Sequence, residues 1–298
     1  MVTTFKKFGS TPDVLRDHIL SYCENPTLFN YSLCSKKCNR EIQRFNTIAP
    51  KKIKLDYNER IRKTVVTLTY QNETSYIRRC EPVTKLDYGI GEAARILEKS
   101  LKYVKSMDST VLAISTKKWP SEVMELQKIK EVSSLRIEIN RGNYKALLDF
   151  LNKSQIKRLM LCRIDAQNSN FTIPNAFFKS EGFRKLDKAF IYANSKIDEQ
   201  DFLEYRGRLL SVTTTMIGAE AMNKKIRQWY ESESPFDVNY EINNDANQDY
   251  DYGVIIRGLP FTEEGDVERP DGKIGKLNFD RESSMSFFTS DTAFNTMT

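Results

Sequence analysis

Hydrophobic and polar positions follow two regimes along the chain. Through residue 45, apolar residues recur at helical spacing. Val14, Leu15, Ile19 and Leu20 form one stripe, with Arg16, Asp17 and Ser21 off it. Ser10 or Thr11 can cap this helix, and Pro12 sits in its first turn, where a missing N–H costs nothing. Asn25 and Pro26 repeat the cap-then-proline device ahead of Leu28, Phe29 and Leu33. A third helix is predicted from Ser35, with Ile42 and Phe45 apolar, stopping before Pro50. Three helices this short carry too little apolar surface to stand alone, so they are expected to lean on a partner or a following domain.

Beyond residue 51 the period shortens. Residues 65–70, 111–115, 135–139, 158–162 and 236–242 are alternating or β-branched, as strands are. Helical patterns at 91–104, 144–151, 199–206 and 219–230 lie between them. Strands alternating with helices imply crossover connections, and so an α/β fold with a parallel sheet. A repeat is also visible. Ile156, Leu159, Leu161 and Ile164, and again Leu186, Ala189, Ile191, Asn194 and Ile197, follow the leucine-rich-repeat strand pattern, and Val132, Leu135 and Ile137 begin it. Taking Val111, Leu135, Leu159, Ala189, Thr213 and Val238 as equivalent gives steps of 24, 24, 30, 24 and 25 residues. An ordinary α/β sheet produces a similar spacing.

The pattern changes again near the C-terminus. After an acidic, Asn-rich stretch at 241–251, residues 252–258, 273–279 and 285–288 read as antiparallel strands, with Pro270, Asp271 and Gly272 as hairpin chemistry. The expected organisation is a helical module at 1–48, a basic linker at 49–64, a repeat-like α/β domain at 65–242, a C-terminal hairpin region at 243–289 and a tail at 290–298.

Charge refines this picture. Residues 36–63 hold ten basic and three acidic side chains, a net of +7 against +6 for the whole chain. A solvated face explains such a run, as does an acidic protein partner or nucleic acid. No apolar run is long enough for a membrane span, and the first ten residues lack a secretory pattern, so the expected compartment is the cytoplasm or nucleus. Cys23, Cys34, Cys38, Cys80 and Cys162 are then read as thiols, and the sequons at Asn72, Asn152 and Asn170 as chance matches.

Catalytic chemistry is thin. The single histidine, His18, lies on the first helix among apolar neighbours, and with the cysteines it matches no common zinc spacing. Gly89 and Gly91 open a helix without a phosphate-binding glycine pattern. The aromatic residues do not interleave with basic ones as in RNA-binding sheets. The expectation is a binder with no cofactor, no metal and no catalytic residue.

Two segments resemble a known family. Pro12, Leu15, Ile19 and Leu20, then Asn25-Pro26, then Ser32-Leu33-Cys34-Ser35-Lys36 resemble an F-box, the nematode version in particular. Thr11 departs from the usual leucine, and Cys38 with Asn39 from the usual tryptophan. The helix containing Asn223, Lys225, Ile226 and Trp229, followed by Arg269, Asp271, Gly272, Ile274 and Leu277, is similar to the type 2 F-box-associated domain of those nematode proteins.

The resemblance implies the substrate receptor of a Skp-cullin-F-box ubiquitin ligase, which carries no active site itself. Pro12, Val14, Leu15, Ile19, Leu28, Leu33, Cys34 and Lys36 would meet a Skp-type adaptor, itself an acidic protein, and through it a cullin. The outward pleat would offer Arg136, Glu138, Arg158, Met160, Phe190, Tyr192, Thr214, Asn239 and Glu241 to a target protein. Two alternatives stay open: an interaction module outside any ligase, and nucleic-acid binding through 36–63.

Overall fold

The computed structural model describes residues 50–58, 63–69, 83–88, 90–101, 104, 106–115, 119–139, 143–163, 171–243, 250–280 and 284–289, and in the N-terminal segment positions 12, 15, 19, 20, 31, 34, 35, 37 and 38. The chain divides into two compact units. The first comprises residues 1–116 and 120–134, the second 117–119 and 135–298.

In the first unit, strands β1 (Lys52–Asn58), β2 (Lys63–Thr69), β3 (Val83–Tyr88) and β4 (Val111–Ser115) form a sheet in the order β4-β1-β2-β3. β1 runs antiparallel to β2 and parallel to β4. Residues 49–64 therefore do not serve as a linker. Lysines at 52 and 54 hid the strand, but Ile53 and Leu55 alternate with them and are fully buried. Lys54 pairs with Asp56 at 2.8 Å. Helix α1 (Ile90–Leu101) turns Ala94, Leu97 and Leu101 inward at helical spacing and packs on β2 and β3. Two short helices, α2 (Ser121–Met124) and α3 (Gln127–Lys130), follow. The Thr110 hydroxyl donates to the Pro50 carbonyl at 2.6 Å, closing the entry to β1 against β4.

The second unit is a mixed sheet of β5 (Ser134–Ile139), β6 (Arg158–Arg163), β7 (Lys188–Ile191), β8 (Leu209–Thr213), β9 (Asn239–Asn243), β10 (Asp266–Glu268), β11 (Ile274–Asp280) and β12 (Ser284–Thr289). Their order is β10-β11-β12-β9-β8-β7-β6-β5. β6 through β9 are parallel neighbours, as the alternating pattern predicted. β12 pairs with β9 antiparallel and extends the same sheet, so 243–289 is not a separate hairpin region.

Helix α4 (Tyr144–Lys153) connects β5 to β6, and the parallel strands β6 to β9 are joined by crossovers through α5 (Asn175–Phe178), α6 (Glu181–Arg184), α7 (Glu199–Glu204) and α8 (Ala219–Tyr230); α9 (Tyr252–Ile256) follows β9. Leu135, Ile137, Leu159, Leu161, Ala189, Ile191, Leu210, Val212 and Ile242 are at most 1% exposed and form the inward face. Phe177, Phe178, Phe183 and Tyr205 complete this core, with ring centres 5.0–5.5 Å apart. Ser180, Asp198 and Asp251 cap α6, α7 and α9 by accepting from the backbone N–H three residues on.

Three local expectations are corrected. Residues 252–258, read as a strand, contain α9. Five apolar or small residues in a row do not distinguish a short buried helix from a strand, and the Asp251 cap decides it. The Pro270-Asp271-Gly272 turn does join two strands, with Gly272 at φ 85°, but its first strand is the short β10.

The third correction concerns register. Leu159 pairs with Ala189 as expected, but Ala189 pairs with Leu210 and Leu210 with Tyr240, so Thr213 and Val238 are not the equivalent positions. The true steps are 30, 21 and 30 residues. Residues 236–238, read as the start of the last parallel strand, lie ahead of β9.

Candidate protein-binding surfaces

At the N-terminal hook, Leu15, Ile19 and Leu20 are helical. Leu20 is buried, whereas Leu15 is 52% and Ile19 43% exposed. Four residues apart, the two lie one above the other on a helix and present one apolar step to solvent. Pro12 and Cys34 are exposed as well. The Ser35 hydroxyl accepts from the Cys38 N–H at 3.1 Å, the cap expected of a helix starting there. Burial pushes the Cys34 thiol up, with Cys38 adding to the effect, so neither composition nor environment makes it a ready nucleophile. Val14, Leu28, Leu33 and Lys36 lie outside the described residues.

The open face of the second unit's sheet is a second surface. The pairings put Met160, Phe190, Ser211, Glu241, Ser286 and Asn278 side by side across six strands. Arg158, Lys188, Leu209, Asn239, Phe288 and Lys276 form the next row. Of the nine residues predicted for this face, the seven that lie in strands keep the right parity, and Tyr192 continues it just past β7. Thr214 does not. Because Ala189 pairs with Leu210, Ser211 and Thr213 point outward, while Thr214 is buried and donates to the Ser195 carbonyl at 2.8 Å.

Exposure on this face is uneven. Arg136 and Tyr192 are exposed, Glu138, Arg158 and Glu241 half-buried. Met160, Phe190 and Asn239 are buried, contrary to their expected role as contact residues. The Phe190 and Tyr192 rings stack at 6.4 Å and 27°, so Tyr192 shields its neighbour. Burial pushes the Tyr192 phenol up and Glu241 adds to this, against the pull of Arg136. The Cys162 thiol is also raised by burial and lowered by Arg136. Met160, Phe190 and Tyr192 thus form an aromatic and thioether centre edged by Arg136, Arg158 and Glu241.

The carriers of the C-terminal pattern converge. Trp229, at the end of α8, is buried against Phe287 at 5.0 Å, and Arg269 stands over its ring. Asn223 donates to the carbonyls of Ile255 and Arg257 at 2.7 and 3.0 Å, tying α8 to α9. Sequence pattern picked out these residues but gave no sign that they touch.

No family model, curated protein or solved structure matches this chain. Among the described residues, no group of His, Cys, Asp and Glu is arranged to hold a metal, and no helix is long and apolar enough to cross a membrane. The Asn152 side chain accepts from the Gly182 N–H at 2.7 Å, so this sequon asparagine takes part in packing α4 against α6.

Proposed function

We propose that this protein is the substrate-recognition subunit of a Skp-cullin-F-box ubiquitin ligase, acting in the cytoplasm or nucleus. Its first 48 residues would form a three-helix F-box that docks on the adaptor. Its irregular leucine-rich-repeat-like sheet would hold the target. The exposure of Leu15 and Ile19 on one helical face, beside a buried Leu20, carries this reading. A domain that keeps two large aliphatic groups half in water at adjacent turns gains from a partner that covers them, about 1 kcal/mol for each side chain.

Charge points to the same occupant. The +7 of residues 36–63 suits an acidic adaptor by steering encounter, while the apolar step supplies the affinity. Ubiquitin transfer would be done by other subunits, and this chain would contribute proximity.

The test uses the full-length chain and a purified Skp-type adaptor. Wild type should form a complex stable to gel filtration. Leu15→Asp with Ile19→Asp should abolish it without changing the thermal unfolding of the chain. A wild-type chain that does not bind the adaptor, or a double variant that still does, would overturn the reading.

A further inference from the structure

In the second unit, a recess of about 180 Å³ opens between α8 and the N-terminal ends of β8 and β9. Its wall includes three cations, Arg206, Arg208 and Lys225, with Trp229, Phe236 and Tyr240 as aromatic surface; no carboxylate lines it. The cations differ in how far their charge is already answered. Arg208 is held by Asp187 through two bonds of 2.7 and 2.5 Å, and its guanidinium stacks 5.6 Å from the Phe236 ring. Arg206 is exposed and makes no ion pair among the described residues.

Lys225 is the unusual group. Only 3% exposed, its ammonium donates to the carbonyls of Tyr205 and Leu203 at 2.7 and 3.1 Å and lies 5.0 Å from the Tyr240 ring centre. Carbonyls and ring faces stabilise a cation but do not neutralise it. Burial and the nearby charge of Arg206 pull the amine down to about 7. Two basic side chains with no carboxylate beside them on one aromatic-walled recess form a site short of negative charge, and a bound dianion would raise the Lys225 amine and hold it protonated.

We propose that this recess is an anion-binding site that takes a phosphate monoester, its phosphate facing Arg206 and Lys225 and its organic stem lying against the aromatic wall. Two converging positive charges match the dianion better than a single carboxylate charge. The volume of the recess, about 180 Å³, lies below the roughly 300 Å³ at which sites for drug-sized ligands begin, so it suits a phosphate that carries one small ring. The inference does not rest on the ligase reading.

The probes are phenyl phosphate, neutral phenol and a blocked phosphotyrosyl peptide, titrated calorimetrically into the full-length protein at low salt. Phenyl phosphate should bind and phenol should not. Arg206→Gln, at an exposed position whose loss leaves packing intact, should weaken phenyl phosphate about tenfold, the share of one charge-assisted bond. Arg184→Gln, also exposed but outside the recess wall, should change nothing. Peptide binding as tight as phenyl phosphate identifies a phosphorylated protein side chain as the source. Binding of phenyl phosphate alone identifies a small metabolite. Absence of phenyl phosphate binding, equal binding of phenol, or unchanged affinity in Arg206→Gln would overturn the proposal.

Discussion

The guanidinium of Arg269 lies 5.3 Å from the centre of the Trp229 ring, fastening the turn between β10 and β11 to the end of α8. Its side chain is 2% exposed, yet every direction around it is answered. It donates to the Ser234 carbonyl at 2.9 Å and the Ser232 hydroxyl at 3.2 Å, and it grips the Asp271 carboxylate. Asp271 is solvent-exposed, but the Arg269 guanidinium holds its carboxyl down at about 2. A buried cation with this many partners specifies one position for the hairpin.

Arg269→Met should therefore lower stability by about 2–4 kcal/mol, since it removes several charge-assisted bonds and strands buried carbonyls. Arg269→Lys should recover less than half of that, because a point charge cannot reach Asp271 and Ser234 together. Urea unfolding of the three proteins measures both. A loss below about 0.5 kcal/mol in the Met variant would show the contacts to be incidental.

Gly275 is fixed by the same cluster. A methyl group there would come 2.6 Å from Phe287 Cε2 and 3.1 Å from Trp229 Cη2, closer still to Phe287 Cζ, in a site where both rings are buried. Gly275→Ala should cost about 1–3 kcal/mol through overpacking. Relieving the clash with Phe287→Leu in the same chain should restore part of the loss, read as non-additivity in a double-mutant cycle.

Lys225 predicts a pH dependence. Its amine falls from 10.5 in the unfolded chain to about 7 in the fold, so between those values the unfolded state binds more protons. The phenols of Tyr205 and Tyr240, both raised by burial, stay neutral over most of that range. Wild-type stability relative to Lys225→Met should thus rise with pH from 7 to 9, by at most about 1.4 kcal/mol per unit. Chemical denaturation at three pH values tests it. A flat difference would mean that the carbonyls of Leu203 and Tyr205 hold the proton against burial.

Phe190 and Tyr192 should separate stability from recognition on the open face. Phe190, 5% exposed, should cost about 3 kcal/mol when cut to Ala. Tyr192, 48% exposed, should cost little in stability. If this face holds a target, Tyr192→Ser should nevertheless deplete the proteins that co-purify with the chain. Retention of the same bound proteins would remove the face from consideration.

Local pattern settled a good deal of this protein. The α8 boundaries, the parallel core and the outward parity of Arg136, Met160, Phe190 and Glu241 were all legible, because burial on one side of an element imposes its period on the sequence. The opposition of a buried Leu20 to exposed Leu15 and Ile19 was not legible, since all three belong to one apolar stripe.

Tertiary structure decided what depends on pairing across distance. Register placed Leu210, not Thr213, beside Ala189, and with it reversed the direction of Thr214. A lysine-rich stretch became strand β1 because β2 and β4 flank it and Ile53 and Leu55 are sealed inward. The recess around Lys225 draws on residues between 205 and 240 that share no local period. Convergence of that kind is set by packing free energy summed over the whole unit, which no short window of sequence contains.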